Sequence, residues 1–175
     1  MLAISHGSED PSPETLALDL YAALLDGTGL PQVLERIAKR LGAASYAALV
    51  TEYDGQHVLR GHAVTYANLD PARMVEYGRH WVHQDPWWQA ALRHGPGVLN
   101  MTRLVSPQIF ARTAFWNDFL RGPDTPFHAL GAHVHTAGDV SAALALHRPM
   151  RQEPFDTREE KILGFLYPHI QRVLV

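Results

Sequence analysis

Two β-hairpin turns far apart in the chain constrain the fold of this 175-residue sequence more than any other feature. Asp54-Gly55 predicts the first turn, because an Asp-Gly pair between apolar, β-compatible runs is the strongest short hairpin signal. Ala137-Gly138-Asp139 predicts the second. The flanking runs are 45–53 and 58–66 at the first turn and 127–136 and 140–148 at the second. Each pair predicts two antiparallel strands, so the sequence indicates an antiparallel sheet built from two separate hairpins.

Helical spacing of apolar residues occupies the regions before, between and after these hairpins. Ser-Pro and Asp-Pro pairs mark several helix starts, where the polar residue serves as N-cap and proline occupies the first turn. The predicted helices are 13–26, 31–41, 71–81, 107–121 and 157–175, with one or two further turns at 87–94, and 98–105 is predicted as a further strand. This pattern predicts an α+β fold with an antiparallel sheet of about five strands. Such an arrangement is typical of a single small PAS- or GAF-like sensor domain.

The domain boundaries follow from the same pattern. Residues 1–12 are polar and aperiodic, so we expect a flexible N-terminal arm. Residues 13–156 form the predicted sensor domain. Residues 157–175 form a predicted C-terminal helix, in which Thr157 and Glu160 offer a capping box. Its apolar face is typical of a helix that packs on a partner helix, so we interpret it as a signalling and dimerisation helix. The alternative is that this face closes the core of the domain itself.

Composition excludes several classes of protein. The sequence has no cysteine, which excludes disulfides, a thiolate nucleophile and cysteine-bound metals. A net charge of −3 and a pI near 6.4 lack the basic footprint of a nucleic-acid-binding module. No apolar stretch approaches the ~20 residues of a membrane span, and the N-terminus lacks a signal peptide pattern. We therefore expect a cytoplasmic protein without a membrane partner.

Catalytic motifs are missing from the sequence. There is no nucleophile elbow, phosphate-binding loop, dinucleotide fingerprint or zinc-protease motif, so we expect neither an enzyme nor a cofactor. The 11 histidines leave one alternative open. His80 and His83 lie one helical turn apart, and His133 and His135 share one face of a strand, so either pair could begin a metal or haem site. Histidines that are half-exposed or bonded to the backbone explain the same pattern, and no metal site is predicted.

The segment 77–88 concentrates aromatic residues around one carboxylate. Tyr77 and Trp81 lie one turn apart on a predicted helix, and Asp85 precedes a proline that turns the backbone away from the helix. An apolar pocket with a few polar groups is the usual form of a small-molecule site. Asp85 could accept a hydrogen bond from a ligand N–H, and Trp81 could donate its indole N–H. Alternatively, Trp81 and Trp87 are core residues and Asp85 is the N-cap of the next helix.

Two further residues complete the predicted ligand-binding site of Trp81, Asp85, Tyr66 and Trp116. Tyr66 ends a predicted strand of the sheet, and Trp116 lies on the helix that we expect to cover that sheet.

Both ends of the chain resemble a known family. The runs 18–43 and 144–174 are similar to the two ends of the sensory domain of LuxR-type transcriptional regulators. The most specific matches are Arg148-Pro149, Phe155-Asp156 and the Pro168-His169-Ile170-x-Arg172 tail, and 106–120 resembles the middle of that domain. The resemblance implies a dimeric, ligand-responsive sensor with a transcriptional output.

The resemblance also bears on the site and the output. Trp81-x-x-x-Asp85-Pro86 keeps the spacing at which lactone-binding members place an aromatic residue ahead of an Asp-Pro pair. No acyl-chain pocket can be matched, so the resemblance does not name the ligand. A helix-turn-helix domain would require residues beyond Val175, so DNA is expected as a partner only through a domain absent from this chain. The alternative is a stand-alone interaction module.

Overall fold

The central sheet has five antiparallel strands in the order β2-β1-β5-β4-β3. The structure is a computed structural model that describes residues 10–54, 57–135 and 138–174. The strands are β1 (Ser45–Asp54), β2 (His57–Ala67), β3 (Gly97–Asn100), β4 (His128–His135) and β5 (Val140–Arg148). The predicted α+β fold with about five antiparallel strands is confirmed. Most of the predicted arm, residues 1–9, and parts of both hairpin turns lie outside the described residues.

The helices lie before, between and after the two hairpins, as the sequence predicts. They are α1 (Pro13–Asp26), α2 (Leu30–Arg40), α3 (Pro71–Arg79), α4 (Pro86–His94), α5 (Met101–Leu104), α6 (Pro107–Phe110) and α7 (Thr157–Leu174). A 3₁₀ turn (Trp81–Gln84) precedes α4, and a π-helix (Phe115–Leu120) follows α6. Among the described residues, none of the helices combines the length and apolar character needed to cross a membrane.

One face of the sheet is covered by α1, α2 and α7. Its side chains are large and apolar: Leu130, Leu144 and Leu146 are fully buried against these helices. From the helices, Leu16 and Leu20 of α1 reach the same core. The predicted stripe on α1 is only partly confirmed, because Leu24 is 49% exposed and Ala23 takes its place in the core.

The other face is covered by the segment from α3 to the π-helix. This segment supplies a layer of aromatic side chains, and the strands beneath it present small residues such as Ala47, Ala129 and Ala143. The close approach of α3 to β2 depends on two glycines, because a Cβ on Gly78 would lie 2.7 Å from the carbonyl oxygen of Gly61. A cavity lies between the aromatic layer and the sheet.

The predicted strand 98–105 is half as long as expected. The strand β3 ends at Asn100, whose Nδ2 donates to the Phe155 carbonyl at 3.0 Å and to Glu160 Oε1 at 2.7 Å. Beyond that point the Ala129 N–H is satisfied by Thr102 Oγ1 at 3.2 Å. A side-chain hydroxyl thus takes the place of a further strand bond, and the chain turns into α5.

The predicted helix 107–121 is interrupted. Thr113 Oγ1 donates to the Phe110 carbonyl at 2.7 Å and accepts from the Trp116 N–H at 3.1 Å. These local bonds compete with the regular helical pattern, so the helix stops and restarts as a π-helix. The capping box of α7 also lies one residue earlier than predicted. Asp156 Oδ1 accepts from Arg158 N at 2.7 Å, and Glu159 Oε2 accepts from Asp156 N at 2.6 Å.

Candidate ligand-binding cavity

A cavity of about 240 Å³ lies between the sheet and the aromatic layer. Its floor is formed by β1, β5 and β4, and its ceiling carries Tyr77, Trp87, Trp88, Phe115 and Phe119. Most of the lining is apolar, with a few polar groups among it. That combination is how sites for small molecules are usually built, and the volume is just below the lower end of their usual range.

The floor leaves room for a ligand because its side chains are small. Strand register places Ala145 between Ala47 and Gly131. At this position the three adjacent strands contribute only the methyl groups of the two alanines, because the glycine has no side chain. His147 lies two residues further along β5, and His133 lies two residues further along β4. Both histidines line the cavity. A row of small residues is therefore bordered by two imidazoles.

Asp85 is the buried carboxylate of this cavity, 6% exposed. Its Oδ1 accepts from the backbone N–H groups of Trp87 at 2.9 Å and Trp88 at 3.2 Å, which caps α4. Its Oδ2 accepts from the hydroxyl of Tyr77 at 2.8 Å. The two interpretations of Asp85 in the sequence are thus compatible. It is the N-cap of α4, and it also lines the cavity.

Burial changes the proton affinity of the polar groups in the cavity. Loss of solvent raises the pKa of Asp85 to about 6, although the hydrogen bonds from Tyr77, Trp88 and Trp87 oppose the change. Burial and the nearby carboxylate raise the pKa of Tyr77 well above its usual value. Burial lowers the pKa of His147 to about 4, so this imidazole is neutral at pH 7. Asp85 therefore carries the charge that a ligand would meet.

The two histidines are held by polar neighbours. His147 Nδ1 lies 3.3 Å from Ser45 Oγ, and His133 Nδ1 lies 3.0 Å from the carbonyl oxygen of Gly95. These contacts fix the rings at the border of the floor.

The mouth of the cavity lies between the start of α3 and the loop after the π-helix. Asn68, Asp70 and Arg73 line one side, and Asp124 and Thr125 line the other. Arg73 Nη1 donates to the carbonyl of Phe119, which ties α3 to the π-helix across the opening. This contact holds the two sides of the mouth together.

Of the four predicted site residues, Asp85 alone is part of the cavity lining among the described residues. Trp81 lies one layer behind, with its ring stacked on Phe119 at a centroid distance of 5.4 Å. Its Nε1 donates to Glu76 Oε1 at 2.8 Å. The indole donor that the sequence offered to a ligand is therefore already used within the protein.

Tyr66 and Trp116 also lie beside the lining. Tyr66 is half-buried on β2 and pairs with Ala47, which belongs to the floor. Trp116 is buried and makes an edge contact with Phe127 at 4.9 Å. Neither residue is part of the described lining of the cavity.

The histidine alternative receives no support from the described geometry. No group of three potential ligands that could hold a metal ion occurs in the ranges 10–54, 57–135 and 138–174. His83 Nδ1 lies 2.7 Å from the Val58 carbonyl, and His80 Nε2 lies 3.4 Å from Gln84 Nε2. The side chain of His135 lies outside the described part of the chain.

Most of the lining, including His147 and Arg73, was not predicted from the sequence. Tyr77 and Trp88 belong to the aromatic segment 77–88 but were not among the four predicted site residues. One signal could have revealed the floor. Along β5 the residues alternate between small and large, with Ala143 and Ala145 on one face and leucines on the other. Small residues repeated at a period of two on one face of a buried strand indicate space above that face.

Comparison with known proteins shows the class of the fold. No protein-family model matches the chain, and no curated protein sequence matches it. Among solved structures, the ligand-binding domain of VqsR from Pseudomonas aeruginosa matches with a TM-score of 0.68 and 17% identity, over 92% of this chain and 93% of that chain. CepR2 from Burkholderia cenocepacia, described as an N-acylhomoserine lactone-dependent LuxR family transcription factor, matches with a TM-score of 0.59 and 14% identity, over 92% of both chains.

A GAF domain is about as similar to this chain as CepR2 is. The GAF domain of an Acinetobacter phosphoenolpyruvate-protein phosphotransferase matches with a TM-score of 0.58 and 16% identity, over 93% of this chain and 89% of that chain. The fold is that of LuxR-type and GAF sensory domains. The family resemblance seen in the sequence is thereby confirmed at the level of the fold.

The Arg148 motif has a clear place in this LuxR-type fold. Arg148 follows directly after His147, and its Nη2 donates to the Leu41 carbonyl at 2.8 Å and to Glu159 Oε1 at 3.1 Å. Its guanidinium lies 4.1 Å from the centre of the Phe155 ring. One side chain thus connects the end of a cavity strand to the end of α2 and to the first turn of α7.

Proposed function

We propose that this chain is the ligand-sensing domain of a LuxR-type bacterial transcriptional regulator and that it has no catalytic activity. The observation that carries the proposal is a buried carboxylate, Asp85, in an otherwise mostly apolar cavity of about 240 Å³. A site of that composition binds a small, mainly apolar molecule and orients it through a few polar contacts.

The ligand carries an N–H group that donates a hydrogen bond to Asp85. Oδ2 of Asp85 keeps a lone pair beyond its bond from Tyr77, whereas Oδ1 already accepts from the backbone N–H groups of Trp87 and Trp88. The remaining predicted residues, Trp81, Tyr66 and Trp116, shape the walls of the site from the second layer.

Ligand binding is relayed through the Arg148 junction to α7. A ligand on the floor touches β5, and Arg148 joins the end of β5 to Glu159 at the start of α7. The relay requires that the ligand bind two conformations of this junction with different affinity. The output is a change in a helix-turn-helix domain outside this chain, and the site of action is the cytoplasm.

The domain acts as a homodimer through α7. Phe165 of α7 is 44% exposed, and Leu18 and Leu25 of the adjacent α1 are 71% and 85% exposed. Apolar residues of this size on two packed helices are typical of an interaction surface. The same residues support the alternative of a stand-alone interaction module, which predicts association without any ligand.

The test is a titration followed by tryptophan fluorescence, because Trp87 and Trp88 line the cavity. The probes are benzene and hexanamide. Both should bind the wild-type domain saturably, and Asp85→Asn should weaken hexanamide about tenfold while leaving benzene unchanged. Asparagine keeps an oxygen that can cap α4, so the fold is retained.

Asp124→Asn is the matched control, because this carboxylate lines the mouth but is 71% exposed and paired with Arg151. It should leave both affinities unchanged. If neither probe binds the wild-type domain, the sensor proposal is wrong. Concentration-dependent dimerisation without probe binding would favour the interaction module.

A further inference from the structure

The four residues from Asn100 to Arg103 contact three separate parts of the fold. Met101 lines the cavity, and a Cβ on Gly131 would lie 3.5 Å from Met101 Cε. Thr102 Oγ1 accepts from a backbone N–H of β4 at 3.2 Å. Asn100 and Arg103 bond to α7. Because α5 consists of a single turn, a shift of one of these residues moves the others with it.

Asn100 uses its side chain for α7 rather than for its own helix. It is the N-cap residue of α5, a position where asparagine ordinarily accepts a hydrogen bond from the first turn. Among the described residues its side chain makes no such bond, and its Oδ1 is buried without a partner. Its Nδ2 instead donates to the Phe155 carbonyl at 3.0 Å and to Glu160 Oε1 at 2.7 Å. The side chain therefore stabilises the start of α7 instead of α5.

Arg103 binds the same carboxylate. Its Nη1 lies 2.8 Å from Glu160 Oε1 and donates to Oε2 at 3.1 Å. We call these bonds from Asn100 and Arg103 to Glu160 the α5 clasp, and they are of the stronger, charge-assisted kind. Glu159, the preceding residue, is bound from β5 by Arg148 Nη2 at 3.1 Å. Neighbouring residues of α7 are thus held by two different elements that border the cavity.

Met101 is the residue of α5 that a ligand would meet. Its side chain is 6% exposed and lies over Gly131, a floor residue without a side chain. Methionine is unbranched and flexible, so it fills such a gap and can also leave it. A ligand that extends over Gly131 displaces this side chain, because both cannot occupy the same space.

We propose that α5 couples the cavity to α7: displacement of Met101 by a ligand shifts α5 and releases the α5 clasp on Glu160. This inference rests on the proposed function, because it assumes that the cavity binds a ligand, and it adds a second path to the one through Arg148. The ligand binds the released conformation more tightly, so release of the clasp must in turn strengthen ligand binding. A clasp that only stabilised the fold would not have this second effect.

The experiment follows hydrogen exchange at the backbone amides of 161–163, near the start of α7. The probe is hexanamide, whose chain is long enough to extend over Gly131. At saturation it should raise exchange at these amides about tenfold in the wild-type domain, as expected for loss of a charge-assisted hydrogen bond. In Met101→Ala, saturating hexanamide should leave exchange at these amides unchanged, because alanine does not reach the space over Gly131.

Glu160→Ala removes the acceptor of the clasp and keeps a residue that favours a helix. Exchange at 161–163 should then be fast without the probe, and hexanamide should bind about tenfold more tightly than it binds the wild-type domain. Glu52→Ala is the matched control, because it removes a carboxylate that pairs with Arg60 at 2.7 Å between β1 and β2. It should change neither exchange at α7 nor the affinity for hexanamide.

An exchange response that survives in Met101→Ala and Glu160→Ala would overturn the coupling through α5 and leave the path through Arg148. Hexanamide binding with no exchange response in the wild-type domain, or with an affinity that Glu160→Ala does not raise, would also overturn it. Exclusion of hexanamide from a domain that binds benzene would overturn it as well, because no chain then reaches Gly131. Failure of both probes to bind would contradict the sensor function itself.

Discussion

The two faces of the central sheet are built from the same strands but packed in opposite ways. Towards α1, α2 and α7 the sheet presents Leu130, Leu144 and Leu146, all fully buried. Towards the aromatic layer it presents Gly131 and Ala145, and a cavity lies above them. Because neighbouring residues in a strand point to opposite faces, alternation of large and small residues fills one face and leaves space on the other.

The largest effect should come from removing a leucine on the filled face. Leu144→Ala deletes a fully buried side chain and leaves a void that the helices cannot close. We expect the free energy of unfolding to fall by about 2–5 kcal/mol, measured by urea denaturation. Probe affinity in the folded protein should be retained. A loss below about 1 kcal/mol would show that the filled face is not tightly packed.

A second prediction uses two side chains of the cavity face, His147 and Asp85, whose pKa values are shifted in opposite directions by burial. The pKa of His147 is lowered from 6.5 to about 4, so its contribution to stability is lost as pH falls through that range. The pKa of Asp85 is raised from 3.8 to about 6, so its ionisation reduces stability as pH rises between these values. The two contributions, about 3 kcal/mol each, offset one another between about pH 4 and 6.

Asp85→Asn should remove the contribution of Asp85 ionisation to the pH dependence of stability. The stability of the variant relative to wild type should increase by about 3 kcal/mol between pH 4 and 7. His147→Asn should show the opposite trend, with its stability relative to wild type falling by a similar amount as pH rises over that range. Urea denaturation at four pH values measures both. Parallel pH profiles for the three proteins would mean that these side chains are not buried as described.

The smallest difference in stability should come from adding the same two methyl groups on either face. Ala132→Val enlarges a fully buried residue on the filled face and should cost about 1–3 kcal/mol through overpacking. Ala145→Val extends into the cavity and should cost less than about 1 kcal/mol. It should also weaken benzene binding more than tenfold, whereas Ala132→Val should not. Equal costs for the two variants would remove the distinction between the faces.

The sequence was sufficient for those parts of the fold that depend on local signals. Ser12 and Asp70 cap the helices predicted for them, and the strands beside Asp54 pair as a hairpin. Prediction failed where distant residues decide the outcome. Asn100 ends β3 because it bonds to Phe155, a residue far along the chain.

The candidate site likewise combines features that local sequence predicts with features that depend on distant residues. Asp85 was predicted from the proline that follows it, since that proline sets the local backbone. The choice between Trp81 and Trp88 could not be made, because it depends on the bond from Trp81 to Glu76 and on the position of Phe119 between Trp81 and the cavity. Both are products of the folded structure.

The most direct test of the difference between the faces is an NMR titration of alanine-methyl-labelled protein with benzene. Ring currents shift only methyl groups close to the bound benzene. We expect shifts for Ala47, Ala143 and Ala145, which line the cavity, and none for Ala48 and Ala132, which lie in the core on the opposite face of the sheet. Shifts of equal size on both faces, or none on either, would contradict a ligand site on this side of the sheet.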